Sequence, residues 1–151
     1  MFESRLKDFL DEEHVKYVTI DHSPAFTAQE IAAMAHVPGK ELAKTVVVKI
    51  DGELAMVVTS ASEQVKLNHL KETRGANEVD LASESEFKDS FPDCETGAMP
   101  PFGNLYGKNV FVSQTLREDE QIAFNAGSHS ELVRLPYTEF QRLVHPTPLA
   151  M

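Results

Sequence analysis

Three stretches of this chain carry groups suited to chemistry. Lys44 opens an apolar, β-branched run, Lys44-Thr45-Val46-Val47-Val48-Lys49-Ile50. A strand does not need lysine there, since Thr, Val or Tyr would serve it better. Lys44 is therefore either a solvated strand end or a partly buried ammonium able to donate charge-assisted hydrogen bonds. The second stretch is Gly97-Ala98-Met99-Pro100-Pro101-Phe102-Gly103. Adjacent prolines cannot occupy a helix interior or a central strand, and flanking glycines permit turns other residues make only at a cost. This is a stiff loop. It is either a turn whose Met99 and Phe102 plug the core, or a pocket wall offering the N–H groups of Gly97, Ala98 and Met99. The third stretch is Asn125-Ala126-Gly127-Ser128-His129-Ser130-Glu131, a polar turn that is either a plain hairpin loop or a place where Asn125, Ser128 and His129 converge on a site.

Other chemistry is weaker. Cys94 and His129 form a Cys–His pair only on paper, because a lone cysteine is most often a small buried hydrophobe. Nothing in Pro92-Asp93-Cys94-Glu95 lowers a thiol pKa, and the acidic neighbours raise it. His14, His22, His36, His69, His129 and His145 are scattered without metal-ligand spacing, so no metal and no other cofactor is expected. Asp80, Glu84, Glu86, Asp93 and Glu95 read as a solvated acidic surface.

The elements that must position these groups follow from periodicity. Phe2, Leu6, Phe9 and Leu10 predict an amphipathic helix ending near Glu13, and Lys16 to Asp21 a strand that Pro24 breaks. Thr27 to Glu30 fits a capping box for a short helix through Ala35, closed by Pro38-Gly39. The strongest signal is a hairpin: Lys44 to Ile50 and Glu53 to Thr59 around Asp51-Gly52, the favoured pair for a type I′ turn. A short helix over Val65, Leu67 and Leu70 follows, ending near Arg74-Gly75. Then come a strand at Val79 to Leu81 and a capped helix from Ser83 to Phe87. Strands are expected at 109–113, 121–125 and 131–135, and a last helix from Thr138, with Pro146 and Pro148 ending the ordered chain. This is an α+β pattern in one compact domain spanning 1–151, with a mixed, largely antiparallel sheet and short flanking helices. No glycine-rich phosphate loop follows a strand, which excludes dinucleotide and nucleoside-triphosphate folds.

The chain of 151 residues carries a net charge of −10, with 42% apolar and 25% charged residues. No apolar run reaches the roughly 18 residues of a membrane span, and the start lacks a secretory pattern, so a soluble cytoplasmic protein is expected. The acidity excludes a general nucleic-acid coat. The Lys40–Arg74 segment, with six Lys and Arg residues, is near neutral and leaves room for a few phosphate contacts.

The ordered set of Leu42-Ala43-Lys44-Thr45-Val46-Val47-Val48-Lys49, Gly97-x-x-x-Pro101 and Asn125-Ala126-Gly127 with His129 resembles the YbaK / prolyl-tRNA synthetase-associated editing domain family. The resemblance runs from Asp21-His22-Ser23-Pro24 to the last helix, and it is to the free-standing members. It implies a partly barrel-like sheet and a trans-acting deacylase that hydrolyses the ester of a mischarged small amino acid. Alanine on tRNA(Pro) is the expectation, from a pocket walled by Met99 and Pro101. It also implies Lys44, Gly97 and His129 as catalytic, with Ala98, Met99, Pro100, Pro101, Asn125 and Gly127 binding substrate. The implied partners are mischarged tRNA, read at its acceptor end, and prolyl-tRNA synthetase; membrane and DNA are not among them. The competing expectation is a non-catalytic module that keeps the pocket to hold tRNA or a synthetase.

Overall fold

The Asp51-Gly52 pair sets the longest ladder in the fold. Asp51 (φ 49°) and Gly52 (φ 87°) both take the left-handed conformation of a type I′ turn. Strands β2 (Ala43–Ile50) and β3 (Glu53–Ser60) therefore pair antiparallel from Ile50↔Glu53 to Ala43↔Ser60. The computed structural model describes residues 5–23 and 28–149.

On the outer side of β2 lies β4 (Val79–Leu81), antiparallel, with Val48 opposite Leu81. On the other side of β3, β5 (Asn109–Ser113) pairs parallel, and β8 (Thr147–Leu149) adds a parallel edge. The order is β4-β2-β3-β5-β8. A second, antiparallel sheet runs β1 (Val18–Asp21), β7 (Glu131–Pro136), β6 (Gln121–Asn125). A single parallel bridge, Leu42↔Ala123, joins the two, and Ala123 N–H donates to Glu41 O at 2.9 Å. The sheets do not close into a barrel.

The edge strand corrects one expectation. Pro146 and Pro148 do not end the ordered chain. Thr147 and Leu149 pair with Phe111 and Ser113, and Pro148 is tolerated because an edge strand needs ladder donors on one side only. Leu149 is 1% exposed and packs with Phe111, so burial holds the strand in place.

Alternation along β2 sorts its residues by face. Val46, Val48 and Ile50 meet α3 (Leu67–Arg74) through Leu67 and Leu70, together with Ala55, Val57 and Phe111. Val47, with Met56, Val58, Val110 and Val112, faces the main core. There Leu6 and Leu10 of α1 (Arg5–Glu12) and Phe140 of α6 (Tyr137–Val144) are buried. Helix α2 (Ala28–Ala35) lays Ile31 over the seam between the sheets, against Leu42, Ala123 and Leu132. Phe2 and Thr27, expected to open and cap these helices, and Pro24, expected to break the first strand, lie outside the described residues.

Gly75 (φ 66°) ends α3 in the left-handed conformation, and Ser83 with Glu86 forms the expected capping box of α4 (Glu84–Phe87). A short helix, α5 (Gln114–Arg117), and two 3-10 turns, Lys88–Ser90 and Gly103–Tyr106, were not expected. They are too short for periodicity to show.

Candidate functional site

A cleft of about 160 Å³ opens at the seam where the two sheets meet. Its lining is drawn from four distant segments: Ile31 of α2, Leu42 to Thr45 entering β2, Gly97, and Asn125 closing β6. Larger grooves of about 340 and 300 Å³ lie elsewhere on the surface, bordered by charged side chains such as Asp51, Glu53, Glu118 and Asp119. Among the described residues the seam cleft brings a lysine together with residues of both polar loops.

Lys44 is half-buried and makes no ion pair among the described residues. It stands opposite Thr59, whose hydroxyl is fully buried without a hydrogen-bond partner. Asn125 brings a second unpartnered group: its Oδ1 is buried and accepts no hydrogen bond among the described residues. Orphaned buried polar atoms cost roughly 1–3 kcal/mol each, and a cleft is where a ligand or water recovers that energy.

Gly97 holds φ +87°, a conformation that L side chains rarely adopt. A Cβ there would stand 3.5 Å from His129 Cε1, an ordinary contact, so the backbone angle and not space demands glycine. The expected donor array is smaller than the sequence implied. Ala98 N–H is spent on Glu95 O at 3.0 Å, and Gly97 N lies 3.2 Å from the weak acceptor Met99 Sδ. Met99 N–H makes no hydrogen bond among the described residues.

The two polar loops are zipped together. Glu95 N–H donates to Gly127 O at 2.7 Å, and Gly127 N–H donates to Ala98 O at 3.0 Å. His129 N–H donates to Glu95 Oε2 at 3.0 Å. His129 Nε2 lies 2.9 Å from Thr96 O, a distance that places the ring proton on Nε2. The His129 side chain is only 12% exposed and sits behind Gly97, outside the cleft lining. Gly127 (φ +99°) passes close to the 93–94 backbone; a Cβ there would be 3.6 Å from Cys94 Sγ.

Among the candidate residues, then, the structure brings Lys44, Gly97 and Asn125 to one cleft. His129 and Gly127 brace the loop behind it. Ala98, Met99, Pro100 and Pro101 are buried and do not line the cleft. Phe102 is fully buried, tilted against Phe124 and edge-to-face with Phe140, with ring centroids 5.6 Å from each, so the proline loop is anchored at its far end. Cys94 is held away from nucleophilic chemistry. Burial raises its thiol to about 11, and its Sγ lies 3.3 Å from the Tyr106 hydroxyl.

Sequence reasoning missed Ile31, Leu42 and Thr45 in the lining, since apolar periodicity marks them only as core. It also placed Glu86 and Glu95 on a solvated acidic surface. Glu86 is exposed as expected, though paired with Lys49, which holds its carboxyl down at about 2; Glu95 is instead half-buried and accepts from the His129 backbone N–H. Glu63 is a further bracing carboxylate. Burial pushes it up, but Ser60 N–H at 2.9 Å and the Ser113 hydroxyl at 2.8 Å help hold it below the ordinary carboxylate range. Among the described residues no group of three or more His, Cys, Asp or Glu is placed to hold a metal ion. No helix among them is long and apolar enough to cross a membrane.

Residues 22–143 match the family described as aminoacyl-tRNA editing domain. The chain is 26% identical over 148 residues to the multifunctional Ser/Thr-tRNA deacylase ProXp-y of Escherichia coli (strain K12), covering 94% of this chain and 87% of that one. A 75-residue stretch is 31% identical to proline–tRNA ligase of Bacillus mycoides (strain KBAB4), half of this chain but 13% of the ligase. Among solved structures, a hypothetical protein superposes with TM-score 0.85 at 21% identity, each chain 96% covered. A candidate trans-editing enzyme for prolyl tRNA synthetase superposes with TM-score 0.80 at 19% identity, covering 96% of this chain and 94% of that one. These likenesses show the same fold.

Proposed function

The chain belongs to the aminoacyl-tRNA editing domain family, and from that premise we propose that the seam cleft is the site where it hydrolyses the ester of a mischarged tRNA. The enzyme is an aminoacyl-tRNA hydrolase. The observation that carries the placement is the meeting of Lys44, Gly97 and Asn125, from three distant segments, around the unpartnered Asn125 Oδ1.

An aminoacyl ester is already activated, so catalysis consists mainly of positioning water and steadying the developing oxyanion. The Lys44 ammonium is suited to the second task, or to a nearby phosphate, by charge-assisted hydrogen bonding. Positive φ at Gly97 and the zipped loops hold the facing wall rigid. No lining side chain other than Lys44 is titratable. Water attacks the carbonyl carbon and the ester C–O bond breaks. The terminal ribose oxygen leaves with a proton, freeing the amino acid. The neighbouring ribose hydroxyl of the substrate relays that proton, accepting it from the attacking water while passing its own to the leaving ribose oxygen. His129 and Gly127 act here as positioning residues.

The cleft's size restricts the aminoacyl group to a small side chain. Alanine was expected from a wall of Met99 and Pro101, and neither lines the cleft. Thr45 and Asn125 put hydrogen-bonding groups beside apolar Ile31, Leu42 and Ala43. That lining favours a small hydroxylated amino acid, serine or threonine, over alanine. A site built to hydrogen-bond a hydroxyl rejects the analogue lacking it far more strongly than an apolar pocket rejects one methylene. The E. coli relative is a Ser/Thr-tRNA deacylase, which agrees.

The test is single-turnover deacylation of seryl-, threonyl- and alanyl-tRNA by wild type, Lys44→Ala and Asn125→Leu. Seryl- or threonyl-tRNA should turn over fastest. Lys44→Ala should slow turnover by roughly 10–150-fold, the kinetic equivalent of the ~1.5–3 kcal/mol of one charged hydrogen bond. Asn125→Leu should narrow the preference over alanine. Turnover indifferent to Lys44 would remove the cleft as the site, and no turnover on any of the three would refute the hydrolase reading of this chain.

A further inference from the structure

The hairpin runs away from the cleft, and the chain returns along it as α3. That helix starts after Lys66, on the side of the sheet end where Lys44 stands, and finishes at Arg74-Gly75 beside the Asp51-Gly52 turn. There Asn77 N–H and Glu78 N–H bond Asp51 Oδ1 at 3.0 and 2.8 Å. By strand alternation Lys44 shares its sheet face with Val46, Val48 and Ile50, the face α3 covers. Lys66, Lys71 and Arg74 are exposed along this return, with Glu72 the one acidic residue in the helix. At its end a groove of about 250 Å³ places Arg74 with Lys108 and His145, beside Asn104 and Asn109, and no carboxylate lines it. Asp51 and Glu53 border a neighbouring groove on the other side of Arg74, and neither pairs with it.

What makes this arrangement informative is that the cations meet in a groove that no carboxylate lines. Lys7, Lys49 and Arg142 are each paired with a carboxylate, as expected in a protein of net charge −10. Lys44, Lys66, Lys71, Arg74 and Lys108 make no ion pair among the described residues, as is true of Lys16, Lys40, Lys88, Arg117 and Arg134, but the first five lie between the cleft end of β2 and the groove at the end of α3. Lys44 and Ile50 are six steps apart along β2, so the track is ~20 Å long at the usual rise per strand residue. That span suits a phosphodiester backbone reaching from a single-stranded end into a duplex.

We infer that the exposed side of α3 and the Arg74–Lys108–His145 groove form a phosphate track that holds the RNA duplex whose 3′ end enters the cleft. The inference rests on the hydrolase reading and names the part of the substrate that reading leaves unheld. Such contacts carry no sequence information; they set register and orientation. They also reconcile an acidic chain with an RNA substrate, because only a few phosphates are engaged.

The test uses an uncharged, fluorescently labelled RNA hairpin with a single-stranded 3′ tail, with affinity measured by anisotropy across a salt series. Arg74→Glu/Lys108→Glu is compared with Lys16→Glu/Lys88→Glu, which makes the same charge change on exposed residues outside the track. The track predicts at least a tenfold loss of affinity for the first pair at low salt. It also predicts a log–log salt slope shallower by about 2, from two lost phosphate contacts. Equal effects from the two pairs, or no hairpin binding by wild type at low salt, would overturn it. Arg74→Gln/Lys108→Gln serves if the glutamate pair lowers Tm, and it should show the same direction. Wild-type deacylation is run in parallel. Track-dependent binding without turnover refutes the hydrolase reading alone, whereas turnover with track-independent binding refutes the track alone.

Discussion

Replacing Gly97 by alanine separates strain from sterics at the cleft. The added methyl finds room, since its nearest neighbours, His129 Cε1 and Nε2, would be 3.5 and 3.8 Å away. The cost is therefore the positive φ of +87°, about 1–2 kcal/mol for a residue with a Cβ. Against it stand the loop-to-loop bonds from Glu95 N–H, Gly127 N–H, His129 N–H and His129 Nε2, each contributing about 1 kcal/mol. Together they exceed the strain, so the loop should keep its shape and the molecule should lose stability instead. For a chain of this size the loss corresponds to a fall in Tm of roughly 2–8 °C. Turnover should drop by less than tenfold, because the wall stays in place. Thermal unfolding followed by circular dichroism, with single-turnover deacylation on the same samples, reads both quantities. An unchanged Tm with turnover reduced a hundredfold would mean that the loop relaxes and the zip is weaker than drawn. An unchanged Tm with unchanged turnover would mean that Gly97 does not hold a left-handed conformation at all.

Gly103→Ala should also lose stability, but through sterics and not backbone strain. Its Cβ would meet Val110 Cγ2 at 2.7 Å and the Lys108 carbonyl oxygen at 3.0 Å, so overpacking of about 1–3 kcal/mol should appear in Tm while substrate preference stays unchanged. A Tm within 1 °C of wild type, about the size of measurement error, would contradict it. Cys94, with its thiol raised to about 11, should resist alkylation at pH 8 in the folded protein and react on unfolding. Cys94→Ala should keep turnover, and an inactive variant would restore a thiol mechanism. Glu86, held down at about 2 through Lys49 and the Ser83 cap, contributes stability that is present above the ordinary carboxylate value of 4.5 and lost as pH falls towards 2. Glu86→Gln should therefore shrink the difference in urea midpoint between pH 7 and pH 3, and an identical difference would show that the pairing does not form.

The hairpin was legible because its determinants are local: Asp51-Gly52 needs no distant partner to demand a type I′ turn. The helices over 67–74 and 84–87 were legible for the same reason, through Gly75 and the Ser83–Glu86 box. The edge strand at Thr147–Leu149 was hidden, since its prolines read as breakers and only a parallel ladder to Phe111 makes them acceptable. In the site, residue types singled out Lys44, Gly97 and Asn125, but their meeting depends on three long-range closures that no local pattern encodes. Backbone partners were equally invisible. Nothing in Gly97-Ala98-Met99 says that Ala98 N–H will be consumed by Glu95 O, nor that His129 will turn its ring to Thr96 rather than into the cleft.

The single Leu42–Ala123 bridge between the sheets has a consequence for how the catalyst comes into being. The cleft has no floor until residue 123 has found residue 42, and no far wall until the 93–98 and 125–131 loops have met. A chain still missing its last quarter thus lacks Asn125 and the loop that pins Gly97 against Lys44. On the proposed reading the site is complete only when loop closure across some eighty residues has joined residue 42 to residue 123.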